Sequence, residues 1–170
     1  MSHDMLSELR QTKPFSLPEE ELYLSLLRTS DLLGRGFGAL LKERGISPPQ
    51  YNVLRILRGA GEPGLPCGEI ASRMVTRDPD VTRLLDRLEQ RALISRGRTP
   101  GDRRVVSTRI TEDGLALLNE LDPLARDIHV RQLGFLSTSE KRVLLDQLAR
   151  VRDQLEIGMI AVDRVSESEG

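Results

Sequence analysis

The spacing of apolar residues changes from helical to extended within residues 80–111, and this change is the strongest constraint on the fold. Four apolar residues first recur at helical spacing: Val81, Leu84, Leu85 and Leu88. Three alternate residues then mark one face of a strand: Val106, Thr108 and Ile110. Between them, Thr99-Pro100-Gly101-Asp102 suits a type II turn, because proline presets φ at the second position and glycine accepts the positive φ of the third. The pattern predicts an amphipathic helix followed by a β-hairpin.

Arginine is concentrated in the same part of the chain. Between Arg73 and Arg109, ten arginines stand against five acidic residues, a local charge of +5, whereas the whole 170-residue chain has a formal net charge of -1. Three arginines repeat every four residues along the outward side of the predicted helix: Arg83, Arg87 and Arg91. A basic region in an otherwise acidic protein favours a localised polyanion-binding surface, but a solvated, arginine-rich helix face explains the charges equally well.

Helical patterns precede this stretch. Residues 19–44 carry an apolar stripe at helical spacing. Ser47-Pro48-Pro49-Gln50 combines an N-cap, a proline at the first helical position and a glutamine three residues after the cap, which predicts a second helix. A short third helix follows at 67–74. Asp78 is then the predicted N-cap of the arginine-bearing fourth helix, with Pro79 at its first position.

Two further helices are predicted after the hairpin. Thr111 caps the fifth, which Pro123 is expected to kink, and Ser137-Thr138-Ser139-Glu140 is a capping box that opens the sixth. Their apolar stripes are long for a chain of this size, so a dimerisation surface that includes the first helix is favoured over an ordinary core. Residues 1–16 and the closing "SESEG" are expected to be poorly ordered unless a partner holds them.

Composition narrows the class of protein. With 38% hydrophobic, 30% charged and 3% aromatic residues, the chain suits a helical globular protein. No apolar run approaches the roughly 20 residues that span a bilayer, so we expect a cytoplasmic protein without a membrane partner. His3, His129 and Cys67 are too few and too scattered for a closed zinc site, and no metal or cofactor is expected. No arrangement typical of a catalytic nucleophile or a carboxylate pair stands out, so an enzyme is not expected.

These patterns together predict a mostly α protein with a small β-hairpin wing. The architecture is a winged helix-turn-helix with added terminal helices for dimerisation. The predicted domains are an N-terminal extension at 1–18, dimerisation helices at 19–44 and 112–163, a winged helix-turn-helix DNA-binding domain at 45–111, and a disordered tail at 164–170.

The stretch "DVTRLLDRLEQRALISRGRTPGDRRVVSTRITEDG" resembles the signature of the multiple antibiotic resistance regulator (MarR) family. That family has a V-T-R-L-x-D-R-L-E recognition helix, a D-x-R wing and an L-T-x-x-G helix start. These correspond here to Val81–Glu89, to Asp102 with Arg104, and to Ile110–Gly114. The segments "SPPQYNVLRIL", "GEIASRM" and "LSTSEKRVLLDQL" match more loosely and in family order. The chain departs from the pattern at "MVTRDPD" and at Pro66, where a serine or threonine cap is usual.

The resemblance implies a homodimeric, sequence-specific transcription regulator, a repressor that binds a pseudo-palindromic operator in double-stranded DNA and is released by a small effector. The recognition helix would enter the major groove and the wing the adjacent minor groove. The expected DNA-binding residues are Arg77, Asp80, Thr82, Arg83, Arg87, Arg98, Arg103 and Arg104. Arg77 or Asp80 would face bases, and the side chain of Asp102 would orient the wing arginines.

The resemblance also implies a small aromatic or carboxylate effector bound between the first, second and fifth helices. Phe37 and Tyr51 are the candidate lining residues, and the glycines of "GRGFGA" leave room for a ligand or for the close approach of another helix. Cys67, near a helix start, is a candidate reactive thiolate, although the peroxide-sensing branch of the family carries its cysteine in the first helix. Two alternatives stay open: a winged-helix module that binds protein or RNA, and a redox-sensing regulator that uses Cys67.

Overall fold

The computed structural model describes residues 5–99 and 102–168, with side chains at 5–98 and 106–157. The helices in these ranges are α1 (Met5–Glu8), α2 (Pro18–Glu43), α3 (Pro48–Ala60), α4 (Cys67–Arg73), α5 (Val81–Gln90), α6 (Glu112–Leu133) and α7 (Thr138–Ser168). The strands are β1 (Leu65–Pro66), β2 (Ile94–Thr99) and β3 (Asp102–Ile110). Helices predominate and the strands form a small antiparallel sheet, which confirms the predicted mostly α fold with a hairpin wing.

The chain divides into two compact units, Met1–Ile128 and His129–Gly170. The first unit contains α1 to α5, the sheet and most of α6, and the second contains the end of α6 and α7. The finer division into extension, dimerisation helices, DNA-binding domain and tail stays a prediction.

The core of the first unit gathers side chains from five helices. Leu41 of α2, Leu54 of α3, Ile70 of α4, Leu88 of α5 and Leu118 of α6 are all fully buried in one cluster. Each such side chain stabilises the folded state by about 1.5–3 kcal/mol relative to an exposed one. The cluster therefore holds α3, α4 and α5 in a fixed arrangement and leaves one side of α5 facing outward.

Strand β1 adds a third strand to the hairpin, in the order β1-β3-β2, and the sequence did not predict it. Leu65 of β1 pairs with Thr108 of β3. Ser107 is buried beside it and donates its hydroxyl hydrogen bond to the carbonyl of Pro63 at 2.6 Å. Gly64 has a φ of 64°, and a Cβ there would overlap the backbone oxygen of Thr108. The close approach of this loop explains why two consecutive residues of β3 are buried, where strict alternation would expose one.

Three predicted helix starts are confirmed by their caps. The Ser47 hydroxyl accepts from the Gln50 amide at 3.4 Å, while the Ser47 amide donates to the Gln50 side chain at 2.9 Å. Ser137 and Glu140 form the same reciprocal arrangement before α7, at 3.2 Å and 2.7 Å. The Thr111 hydroxyl accepts from the Gly114 amide at 3.1 Å and so caps α6. Local sequence therefore sets these helix boundaries.

The predicted start of the arginine-bearing helix, α5, is wrong by two residues. The helix begins at Val81, and Asp80 is its N-cap, with the Asp80 carboxylate accepting from the Arg83 amide at 3.0 Å. The Asp78 carboxylate instead accepts from the Asp80 amide at 2.9 Å, which closes a local turn. Two aspartates compete for the cap, and the one that precedes the buried Val81 takes it.

The chain ends differ from the sequence-based expectation. Residues 5–8, expected to be poorly ordered, form α1, in which Met5 is buried and Glu8 pairs with Arg28 of α2 at 3.7 Å. Helix α7 continues through residues 164–168, where a tail was predicted. No helix within 5–99 or 102–168 combines the length and the apolar character that crossing a bilayer requires.

Candidate nucleic-acid interface

One side of α5 is buried and the opposite side carries exposed arginines. Val81, Leu84, Leu85 and Leu88 are buried, as the apolar spacing predicted. Thr82, Arg83 and Arg87 are exposed. Neither of these two guanidinium groups forms an ion pair with a residue that the structure describes. Both are therefore available to an anion in solution.

The segment before α5 presents a further arginine. Arg77 is exposed in the loop between α4 and α5, and the loop is held where the Val75 amide donates to the Asn52 side chain at 2.8 Å. Asp80 is exposed as well, but its carboxylate already caps α5. A carboxylate that faces phosphates is repelled, so the cap is the role that its geometry supports.

The wing is a hairpin of β2 and β3 that follows α5. Arg98 of β2 is exposed and lies opposite Val106 of β3. The backbone of Asp102, Arg103 and Arg104 lies in β3, but their side chains fall outside the described residues, as does the predicted turn at Pro100 and Gly101. The predicted roles of these wing residues stay predictions.

Arg91 does not extend the outward arginine row. Helix α5 ends at Gln90, and the Arg91 guanidinium donates to the carbonyl of Gly45 at 2.5 Å and to that of Arg44 at 3.1 Å. These are the unpaired carbonyls just after α2, which a cation satisfies well. Nothing in the local sequence indicates this contact, because its partners lie more than 40 residues away.

Arg96 of β2 is also engaged within the protein. Its Nε donates to Glu89 of α5 at 2.8 Å, and its Nη2 contacts both Glu89 and Asp86 at 2.5 Å. The hydrogen bond from Arg96 holds the pKa of Glu89 below its usual value, and the two carboxylates raise the pKa of Arg96. In the sequence these three residues are only three charges among many, and no local pattern predicts that they form one cluster.

The structure brings the two proposed effector residues together. The rings of Phe37 in α2 and Tyr51 in α3 are edge to face, with centroids 5.0 Å apart. The Tyr51 hydroxyl accepts from Arg55 at 3.1 Å, and the Arg55 guanidinium lies 5.8 Å from the Tyr51 ring centre. Tyr51 is buried and Arg55 is exposed, so the group offers an aromatic surface beside a cation.

The same region contains an ion pair between α3 and α6. Arg58 donates to the two oxygens of Asp122 at 2.8 and 3.2 Å. This hydrogen bonding lowers the pKa of Asp122, and Arg55 and Arg126 add to the effect through their charges. A second pair joins Arg44 to Glu120 at 2.7 Å. The first pair joins α6 to α3, and the second joins α6 to the residue that follows α2.

Cys67 is half-buried at the start of α4. Its sulfur lies 3.9 Å from the Thr82 hydroxyl of α5. Among the described residues, no group of three or more histidine, cysteine, aspartate or glutamate side chains could hold a metal ion.

Comparison with known proteins identifies relatives of this arrangement. A model of the MarR family matches residues 46–106, which include α3 to α5 and most of the wing. The chain is 33% identical to the HTH-type transcriptional regulator TtmR of Methylorubrum extorquens over 151 residues, covering 89% of this chain and 75% of TtmR. A MarR transcription factor from Planctomyces limnophilus of known structure is 36% identical, with a TM-score of 0.61, covering 85% of this chain and 99% of the other.

A further solved structure is similar in fold and bears on regulation. It is BpsR of Bordetella bronchiseptica, solved in work on how 6-hydroxynicotinic acid regulates the DNA binding of that protein. It is 25% identical to this chain, with a TM-score of 0.72, and the match covers 83% of this chain and 99% of BpsR.

Proposed function

The chain belongs to the MarR family of transcription regulators, and from that premise we propose that it is a homodimeric repressor that binds a pseudo-palindromic operator. The observation that carries the proposal is the outward side of α5, where Arg83 and Arg87 have no described ion-pair partner on a helix fixed by four buried residues. The family membership favours this function over a protein- or RNA-binding module. The position of Cys67 at the start of α4, and not in the first helix where the peroxide-sensing branch carries its cysteine, favours it over a redox sensor.

The proposed DNA contacts follow from the position of each side chain. Helix α5 enters the major groove, with Arg77 near the base edges and Thr82, Arg83 and Arg87 on phosphates. Arg98, Arg103 and Arg104 of the wing reach the neighbouring minor groove, and Asp102 orients them. Asp80 contributes by starting the recognition helix at Val81, since its carboxylate is the N-cap.

The proposed dimer uses the terminal helices, which carry large exposed apolar side chains in each unit. In α2 these are Leu22, Tyr23, Leu26, Leu27 and Leu32, and in α7 they are Val143, Leu144, Leu145, Val151, Leu155 and Ile157. Apolar surface of this extent marks an interaction site. A two-fold arrangement would present two recognition helices about one helical turn of DNA apart, roughly 10 base pairs.

The proposed effector is a small aromatic or carboxylate compound that binds beside Phe37 and Tyr51. The edge-to-face rings supply an apolar wall, and the exposed guanidinium of Arg55 supplies a partner for an anionic group. The regulation of BpsR by an aromatic acid supports this class of ligand. The effector must bind the DNA-free conformation more tightly than the DNA-bound one, because only that difference releases DNA.

In this proposal the protein acts in the cytoplasm, carries no cofactor and catalyses no reaction. Control does not pass through the cysteine, so C67S should release DNA with the effector as the parent does. Mobility-shift titrations of both proteins measure this. Peroxide-induced release from the parent that is lost in C67S would contradict it.

A mobility-shift selection with genomic fragments tests the function directly. A specific regulator enriches a duplex with two-fold symmetry, and footprinting then locates two half-sites. The variant R83A/R87A should bind that duplex far more weakly, whereas R35K, altered on the exposed side of α2, should bind like the parent. Failure to enrich any duplex would contradict the proposal.

A further inference from the structure

Beyond the short connection at 91–93, one guanidinium group of the strand that begins the wing forms ion pairs with α5. Arg96 of β2 bonds to Asp86 and Glu89 of α5 through three contacts of 2.5 to 2.8 Å. The two acids lie three residues apart, so they are neighbours on one side of the helix. That side lies between the buried stripe and the exposed arginines Arg83 and Arg87.

The charge of this cluster excludes a role in holding DNA phosphates. One guanidinium faces two carboxylates, so the cluster has a net negative charge. Arg96 is therefore not one of the arginines that attract phosphate, although it lies in the most basic part of the chain. Two carboxylates on a DNA-reading helix oppose binding by repulsion, so their presence there calls for a compensating role.

Arg96 lies where the hairpin leaves the body of the protein. Ile94, two residues earlier, is buried at 2% exposure, the Arg96 side chain is 25% exposed, and Arg98 is exposed. Arg96 pairs in register with Thr108, which is 1% exposed. Arg96 forms ion pairs with α5, and no described side chain of β2 or β3 nearer to the wing tip does so.

A small tilt at this point moves the wing tip by a large amount. Thr99 lies three residues beyond Arg96, about 10 Å along an extended strand, so a tilt of about 10° displaces it by about 2 Å. Side chains that read DNA need to be placed within about 0.5 Å. Contacts in two adjacent grooves therefore depend on a fixed angle between α5 and the hairpin.

We infer that Arg96 is a positioning residue for DNA recognition: by bonding to Asp86 and Glu89 it fixes the wing at the angle where α5 and the hairpin reach adjacent grooves of one duplex. The inference rests on the proposed DNA-binding function. Because all three side chains are partly exposed, the ion pairs contribute little to the free energy of unfolding. Their effect is on geometry, and it should appear in sequence discrimination more than in stability.

The informative variant is R96K, which keeps the positive charge and loses the planar fork that spans two carboxylates. Its matched control is R35K, which likewise keeps the charge and loses the planar fork, in an Arg–Asp contact that lies within α2 alone. The probes are a duplex enriched by the parent protein from a random-sequence library and a shuffled duplex of the same composition. R96K should bind the enriched duplex about tenfold more weakly, as when a base contact is lost. Binding to the shuffled duplex and the salt dependence should not change, since the charge is unchanged.

A second variant separates positioning from neutralisation of the acids. D86N/E89Q should lose discrimination as R96K does, although it removes two negative charges. If Arg96 only neutralised the acids, this variant would bind both duplexes more tightly and discriminate as well as the parent.

A spectroscopic readout reports the hairpin itself. The chain contains no tryptophan, so V106W, at a half-exposed position of β3, places a single indole on the wing. Time-resolved fluorescence anisotropy should show faster local motion of this indole in the R96K background and no change in the R35K background.

The outcomes separate the inference from the proposed function. Unchanged discrimination by R96K overturns the inference, whatever the indole motion. An equal loss on both duplexes overturns it too, since that indicates lost folding or charge. If the parent enriches no duplex, the proposed function is contradicted, and unchanged indole motion in R96K then also shows that Arg96 does not fix the hairpin.

Discussion

Arg83 and Arg91 show at the residue scale that charge alone does not identify a DNA contact. Both belong to the same repeating row in the sequence, but Arg91 lies just past the end of α5 and bonds to the carbonyls that follow α2. Arg96 is bound by two carboxylates, and Arg73 pairs with Glu69 within α4. The positive charge available to DNA is therefore smaller than the sequence count of ten arginines suggests.

The remaining arginines should divide into those that hold phosphate and those that read the groove. R83A should weaken binding to all duplexes alike and reduce the salt slope by about one unit, as expected for one phosphate contact. R104A should weaken binding to the selected duplex by about 1–3 kcal/mol and reduce discrimination between A·T-rich and G·C-rich flanks. Titrations over a range of salt concentrations measure both effects, and both variants should melt like the parent. Unchanged affinity in both would show that this surface does not bind DNA.

The ionisation of Glu89 should make the free energy of unfolding depend on pH. Because the hydrogen bond from Arg96 lowers its pKa in the folded state, its stabilising contribution is present above the ordinary glutamate pKa of about 4.3 and is lost as pH falls through the lower folded value. E89Q should therefore be slightly less stable than the parent at pH 7, by less than about 1 kcal/mol because both side chains of the pair are partly exposed. The difference should shrink in urea unfolding below about pH 4. A difference that stays constant with pH, or that persists in the R96M background, would contradict this origin.

At the scale of elements, the sequence predicts the structural features that depend on residues close together in the chain. The reciprocal caps at Ser47 and Ser137 and the buried stripe of α5 follow from local spacing, and the structure confirms them. Strand β1 is too short to give a pattern, and its position depends on pairing with Thr108, more than 40 residues later. The contacts of Arg91 depend on equally distant partners. The buried and exposed sides of α5 could therefore be predicted from sequence, but the partners of Arg91 and Arg96 could not, and the DNA contacts of this surface stay predictions.

At the junction between β3 and α6, a small substitution should have a large effect on the free energy of unfolding. Gly114 lies in the first turn of α6, where a Cβ would overlap the backbone oxygen of Leu93 and the side chain of Ile110. The backbone oxygen cannot move without shifting β2, so G114A should destabilise the protein by about 1–3 kcal/mol. Urea unfolding measures this. The matched control is G59A in α3, where a Cβ meets nothing within 4 Å, and it should leave stability unchanged or raise it by up to about 1 kcal/mol. Equal effects of the two substitutions would contradict the steric explanation.

At the scale of the whole molecule, the charge is distributed unevenly around a nearly neutral total. The net charge is -1, but the stretch from Arg73 to Arg109 carries +5, so the rest of the chain is acidic. In the proposed function, a duplex is attracted to α5 and the wing more than to the acidic remainder of the chain, which orients the protein before contact. Such steering depends on salt, and association rates should fall as ionic strength rises.

If the protein is the proposed dimer, α7 should be needed to hold the two copies together. Val143, Leu145, Leu155 and Ile157 are each 61% or 62% exposed in the single chain, a large apolar area for a helix. Burying these side chains against a second copy accounts for them, so a chain truncated after Leu136 should be a monomer or aggregate, as measured by light scattering after size exclusion. L145E provides a milder test, because a charge there opposes burial without removing the helix. The weakened dimer should bind a single half-site as well as the parent but lose the affinity gained from two half-sites on one duplex. A dimer of unchanged stability in both proteins would show that α7 does not hold the copies together.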